Sequence, residues 1–455
     1  MRTWLTLTGL LLAGGLVQAQ RIRAVFGLLE GTGGPSYPNS GLYFRQEDLN
    51  TGTLIAGITP LPGVEPMGND LAYDPNHKLL FVIGGGIFPT WEGSVYALDV
   101  WHNLIPMPVL PSIKARRLAV KDTLLLVTRQ EAPFFTVYRI RYEPAQGLQV
   151  DSLWSPTSPL LRNTPDGLLV WGDTAYLALS YDPTTYTKDS LVLAINLQTR
   201  QVVASWTVYP NPTEIVRIGN ALYVACYGDF SGNLQISQIQ PNSPIVTTYD
   251  AGYPSYGGFV TDTGGVKDTI LYWSGNTLRA FAVTAGQTAP GAYLGIASTG
   301  FPFTPYGLLW VGKHLHLSFT NFTDTSLIVI RDPDLWPTPP YLDTVFVSMG
   351  IGGIGYPGLR RFLYVEDDTA RVTTGLSAGL LRDFTYGPNP TTHTLTWASS
   401  TALAHLSLWD ATGRPLHTYP PTERVLFLGD LPAGLYFLHI QTQDGRHQSY
   451  PILKE

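Results

Sequence analysis

The chain has 455 residues, a formal net charge of −6 and 14% charged residues, against about a quarter in an ordinary globular chain. That length exceeds what one small core organises, so two or three units are expected. The densest basic stretch is Lys114-Ala115-Arg116-Arg117, too short for a polyanion-binding surface, which excludes nucleic acid as a partner. Glycine (46) and proline (36) punctuate the chain throughout and apolar runs with helical period are hard to find, so the fold class is all-β with many turns.

Residues 1–19 read as a signal peptide. Arg2 supplies the positive start, Leu5 to Val17 is apolar, and Val17-Gln18-Ala19 is a small-x-small cleavage site. The apolar run is shorter than the ~18 residues that span a bilayer, and no later stretch is long enough, so no transmembrane span is expected. The single cysteine, Cys226, sits in an apolar strand-like run. It forbids intramolecular disulfides and reads as a small buried residue.

From residue 70 a short pattern repeats, a polar or glycine residue followed by apolar ones. Leu71, Leu118, Leu168, Ile215, Phe259 and Leu308 mark six copies at intervals of 47, 50, 47, 44 and 49. Each copy opens a series of four short strands, and four strands every ~45 residues is the signature of a β-propeller blade. Three strands between residues 21 and 61 lack an inner partner, which Leu359 to Glu366 can supply. The expectation is a seven-bladed β-propeller over residues 20–366, closed from both ends of the chain. The strand pattern and spacing weakly resemble bacterial surface propellers of the YVTN-repeat and quinoprotein-like kinds.

Strands in a blade alternate in direction, so loops before the first strand share a face with loops between the second and third. On that face the loops are long and rich in glycine, proline and aromatics; on the other they are tight turns. The candidate ligand-binding residues are therefore Tyr37, Phe88, Trp91, Tyr181, Tyr186, Tyr253, Tyr256, Phe303, Tyr306 and Tyr356. Aromatic rings give large contact area at low entropic cost, and they suit a glycan, a peptide or a flat cofactor. The plainer alternative is that they rigidify the loops.

Catalytic signals are sparse. Gly375-Leu376-Ser377-Ala378-Gly379 has the nucleophile-elbow pattern but lies in a small-residue connector, without the strand and helix such an elbow needs. His314 and His316 are two apart on a strand, with no third ligand near, so no metal site is expected. Asp229 and Asp324, in Gly/Thr/Asn loops, offer oxygen ligands to calcium; solvated turns are the simpler reading. Asp70 and Glu214 are the carboxylates placed at the channel mouth. The leading function is ligand binding; a hydrolase or lyase acting on glycans or peptides, and a structural or adhesive surface protein, are the alternatives.

Residues 367–385 read as a linker and 386–455 as a small Ig-like β-sandwich. Strands are expected at Thr394 to Ala398, His405 to Asp410, Arg424 to Leu428, Leu435 to Thr442 and Gln448 to Leu453. This unit opens with Pro388-Asn389-Pro390. It continues through Asp410-Ala411-Thr412-Gly413-Arg414 and Leu431-Pro432-Ala433-Gly434-Leu435-Tyr436, and ends in a tail containing Lys454. In order and spacing it resembles the type A C-terminal sorting domain of type IX secretion substrates; Pro415-Leu416 departs from the β-branched pair often found after Gly-Arg. The resemblance implies sorting roles for Pro388, Asn389, Pro390, Asp410, Gly413, Arg414, Gly434, Tyr436 and Lys454. It further implies recognition by the type IX translocon, removal by a sortase-like peptidase, and a destination outside the cell or on its outer surface, via the periplasm.

Overall fold

The computed structural model describes residues 22–30, 40–48, 54–61, 63–65, 68–85, 92–99, 106–143, 147–229, 234–252, 258–261, 268–275, 277–283, 287–294, 304–311, 314–320, 325–331, 342–347 and 358–367, and, towards the C-terminus, 385–387, 391, 393–398, 402–410, 415–420, 422, 424–432, 434–443 and 447–454. Among the described residues there is no α-helix. Backbone contacts separate Gln20–Asp368 from a second unit that holds Thr369–Glu455.

The first unit opens with β1 (Ile22–Glu30), β2 (Ser40–Asp48) and β3 (Leu54–Leu61). Six blades follow, each a meander of four consecutive antiparallel strands: β4–β7 (residues 71–113), β8–β11 (115–154), β12–β15 (164–207), β16–β19 (212–252), β20–β23 (259–294) and β24–β27 (304–347). Their first strands pack on one another in turn: β4 (Leu71–Asp74), β8 (Ala115–Lys121), β12 (Thr164–Trp171), β16 (Pro212–Ile218), β20 (Phe259–Thr261) and β24 (Thr304–Val311). This is a β-propeller. One more four-stranded sheet is split in sequence: β28 (Gly358–Asp367) pairs antiparallel with β1, from Ile22 opposite Asp367 to Glu30 opposite Gly358. The same strand packs on β24 and on β4. Six blades are thus continuous stretches of chain, and a count of seven depends on reading the split sheet as a blade.

The core is a set of layers between sheets. A middle strand is covered on both faces, so its side chains alternate between two layers. β5 (Leu79–Gly85) is buried at every position. Its Leu80 and Val82 join Phe26, Leu28 and Leu42 of the split sheet, while Leu79, Phe81 and Ile83 join Leu118, Leu125 and Val127 of the next blade. Four more clusters fill the remaining described layers of the propeller, one of them with Trp273 and Phe319 in edge-to-face contact at 5.5 Å. The outermost strands alternate instead, as in β15 (Gln201–Thr207), where one face meets water. This explains why the inner runs are continuously apolar and the outer ones ragged.

Short turns link the first and second strands. Asp122, Gly172 and Gly219 hold φ of 55°, 59° and 58°, the left-handed backbone a two-residue hairpin needs.

The second unit has two sheets sharing one core. β29 (Thr385–Gly387), β30 (Thr394–Ala398) and β33 (Val425–Phe427) form the smaller. β31 (Leu403–Asp410), β32 (Pro415–Tyr419), β34 (Gly434–Thr442) and β35 (His447–Lys454) form the larger, in the order β32-β31-β34-β35. Leu395, Trp397, Leu426 and Leu428 of the smaller sheet's segment meet Leu406, Leu408, Leu438, Ile440 and Ile452 of the larger. Two short strands, Thr385–Gly387 and Pro415–Tyr419, lie where the sequence pattern predicts none.

Candidate functional site: the charged mouth of the propeller

The site is made where inner strands begin. β8, β12, β16 and β24 each carry a bulge at that point, between Ala115 and Arg117, Pro165 and Gly167, Pro212 and Glu214, and Pro305 and Gly307. The extra residues are Arg116, Asp166, Thr213 and Tyr306. A bulge leaves one residue out of the ladder and re-aims its side chain. In three of the four the preceding residue is proline, which has no N–H to give a ladder, so the irregularity is written into the sequence.

Three guanidiniums and three carboxylates converge there. Arg116 donates from Nε to Asp166 Oδ1 at 2.8 Å, and its Nη2 lies 2.8 Å from the same oxygen. Ser180 Oγ donates to Asp166 Oδ2 at 2.7 Å. Arg117 donates from Nε to the Asp166 carbonyl at 2.6 Å and from Nη2 to Glu214 Oε1 at 3.2 Å. Arg361, on the closing strand β28, also donates to Glu214 Oε1 and stands 3.9 Å from Asp70 Oδ1. The Leu118 N–H donates to Asp70 Oδ2 at 2.8 Å. Arg117 and Asp166 are only 9% and 10% exposed at the side chain, so these are ion pairs held largely out of water.

Burial and partners oppose each other in this cluster. Burial pushes the Asp70 carboxyl above its usual range, only partly offset by Arg361 and Arg117. Burial pushes Asp166 up as well, but Arg116, Arg117 and the Ser180 hydroxyl outweigh it and hold that carboxyl low. Arg117 falls to about 10, through burial and then the like charge of Arg361. For Arg361 the carboxylates of Glu214 and Asp70 outweigh burial and raise it.

Beside this cluster lies an aromatic pair. Tyr181 ends β13 (Thr174–Tyr181), and its phenol is pushed up to about 12 by burial, with Arg116 and Asp166 close enough to act on it in opposite directions. Tyr186 stacks on it, with centroids 5.9 Å apart and planes 15° from parallel. The loop between them is tied by Asp182, whose Oδ1 accepts from Thr184 N–H at 2.7 Å and Thr185 N–H at 3.0 Å. The Lys188 ammonium sits 5.6 Å from the Tyr181 ring centre.

Of the ten expected aromatics, the structure therefore brings Tyr181 and Tyr186 together beside the charges and places Tyr306 on the bulge of β24. Tyr37, Phe88, Trp91, Tyr253, Tyr256, Phe303 and Tyr356 lie outside the described residues, as do Asp324 and the Gly375–Gly379 pattern. His316 is buried within β25 (His314–Thr320), and among the described residues no group of His, Cys, Asp and Glu is arranged to hold a metal. Cys226 is buried and its thiol is pushed up to about 12 by that burial. Among the described residues no helix is long and apolar enough to cross a membrane.

In the second unit, Asp410 pairs with Tyr436, and Gly434 with Lys454, across neighbouring strands. The Tyr436 hydroxyl donates to the Pro432 carbonyl at 2.8 Å. Lys454 also forms a parallel bridge with Thr391, immediately after the proline-rich opening. Pro388, Asn389, Pro390, Gly413 and Arg414 lie outside the described residues.

No described protein family and no curated protein matches the chain. Solved structures resemble it. PorZ, an essential bacterial surface component of the type-IX secretion system of Porphyromonas gingivalis, aligns over 91% of this chain at 11% identity and a TM-score of 0.42, and the chain spans 64% of that protein's length. A putative 6-phosphogluconolactonase from Bacteroides uniformis aligns over 75% of this chain and 99% of its own at 12% identity and a TM-score of 0.47. A Synechocystis apocarotenoid oxygenase aligns over 76% of this chain and 92% of its own at 10% identity and a TM-score of 0.47. Likeness at this level carries no functional argument; the propeller assignment stands on the strand pairing above. Fold and site together define an all-β propeller protein with a charge-balanced, aromatic-flanked mouth.

Proposed function

We propose that this chain is an exported protein, secreted or held on the outer cell surface, whose propeller binds a ligand at the charged mouth. Residues 1–19 act as its signal peptide. Residues 386–455, joined by the linker 367–385, serve as an Ig-like type IX sorting module, read by the translocon and removed by the sortase-like peptidase. The split sheet is read as a seventh blade, supported by the packing of β28 on both β24 and β4. The observation that carries the binding reading is the juxtaposition of the Arg116–Asp166 pair with the Tyr181–Tyr186 stack, on the face to which the sequence pattern assigns the long loops. Binding sites favour long loops on a rigid scaffold, with few polar groups among aromatics.

Two experiments test this. A thermal-shift screen with glycans, peptides and flat cofactors should find a ligand that raises the melting temperature of the wild type and not of Tyr186→Ala. A panel without a single stabilising ligand counts against binding. Deletion of 386–455 should trap the protein in the periplasm; continued secretion of the truncated chain defeats the sorting reading.

A further inference from the structure

Resting on the ligand-binding reading of the mouth, we infer that the ligand is a neutral glycan, one pyranose ring of which lies on the exposed face of Tyr186 while its hydroxyls meet the Arg116–Asp166 pair. Three features of the site select this class among the ligands that aromatics accept.

The first is charge. Arg116, Arg117 and Arg361 face Asp70, Asp166 and Glu214, and each guanidinium already has a carboxylate partner within 4 Å. An anionic or cationic ligand would have to take one member of a pair and strand the other in a place poor in water, which is costly. An uncharged polyol needs no such exchange. It adds hydrogen bonds to the remaining oxygen lone pairs and N–H groups of groups that stay paired.

The second is the geometry of the rings. A flat cofactor inserts between two aromatic planes. Here the two planes are spent on each other: Tyr181 and Tyr186 are nearly parallel with centroids 5.9 Å apart, an offset stack with no slot between them. What is left is a one-sided platform, and Tyr186 is 50% exposed. A pyranose suits a one-sided platform, because one of its faces carries axial C–H bonds with slight positive charge, which the negative face of the ring attracts.

The third is that the platform is held ready. Tyr186 has φ of 58°, a conformation a bulky residue adopts at a cost. Its N–H donates to the Asp182 carbonyl at 2.8 Å, and the Asp182 N–H donates to the Thr187 carbonyl at 2.9 Å, so the loop is pinned at both ends. Planar polar groups of fixed orientation, carboxylate and guanidinium side by side, can then address vicinal hydroxyls two at a time.

The test titrates the full chain with neutral oligosaccharides (malto-, cello- and manno-pentaose) and, in parallel, with a uronic-acid pentamer, following tyrosine fluorescence and heat. Saturable binding of at least one neutral pentaose is expected, with affinity at least tenfold above that for the acidic pentamer. Tyr186→Ala should weaken it at least tenfold while lowering the melting temperature only slightly, since half of the ring is exposed and the stack on Tyr181 is its main contact; Tyr186→Phe should retain it. Preference for the uronic pentamer overturns the neutral class while ligand binding at the mouth survives. Binding of a peptide or flat cofactor, and of no sugar, overturns the glycan inference alone. Neutral-sugar binding that Tyr186→Ala leaves intact overturns the site. If no ligand of any class binds, this inference and the binding reading fall together.

Discussion

The propeller and the C-terminal unit bury apolar surface in opposite ways. In the propeller each layer is shared by two neighbouring sheets only, so Phe81 and Leu80, adjacent in sequence, belong to different layers. In the C-terminal unit one cluster takes in both sheets, and Leu395, Leu406, Leu438 and Ile452 all belong to it. Damage in the first should stay local, as in other repeat architectures, and damage in the second should spread through the whole unit. Phe81→Ala should cost about 3–5 kcal/mol, and Leu406→Ala about 2–5 kcal/mol. Hydrogen exchange should accelerate mainly in β4–β11 for the former and throughout β30–β35 for the latter. Uniform acceleration across all blades after Phe81→Ala would break the contrast.

The propeller differs again in closing its axis with ion pairs. Glu214→Gln leaves Arg117 and Arg361 without their shared anion and should cost about 3 kcal/mol by chemical denaturation, well above an exposed pair such as Arg141–Asp151. Acid sharpens the point. Asp166 is held below its ordinary 3.8, so the stability it contributes is present above that pH and is lost as pH falls through its lower folded value. Asp166→Asn should therefore melt earlier than wild type at neutral pH, with the gap narrowing towards pH 3. Asp70 has the opposite sign: its folded value is raised, so its favourable contribution is present below 3.8 and lost as pH rises. Asp70→Asn should not reproduce the Asp166→Asn profile. The smallest effect belongs to a turn: Gly172→Ala meets no atom within 4 Å, so its cost is the left-handed backbone alone, about 1 kcal/mol in melting measurements.

Much of the fold is written locally. Continuous apolar runs such as Leu79 to Ile83 mark strands covered on both faces, and the intervals of 44 to 50 residues mark the repeat. Thr394 to Ala398 falls where expected because its alternation is clean. Pro415–Tyr419 escaped because a proline at its start and only partial burial hide its period. The charged cluster is a different matter. Asp70 and Glu214 are legible as carboxylates at the channel mouth, but Arg116 and Arg117 stand out only as the densest basic stretch, and their partners are 50 and 97 positions away. Arg361 and Glu214 are 147 apart. No local pattern states such pairings, because ring geometry makes them. The recurring proline at the start of inner strands, at 165, 212 and 305, was the available sign that a bulge redirects one residue per blade.

The pairing of β28 with β1 also sets an order of events. A chain that emerges N-terminus first makes Glu214 and Arg117 long before Arg361, and until the strand ending at Asp367 arrives the three N-terminal strands have an unfilled edge. Delivery of that last strand seals the edge and supplies the third guanidinium in one step. Closure of the split sheet and completion of the ion pairs at the mouth thus depend on one and the same strand.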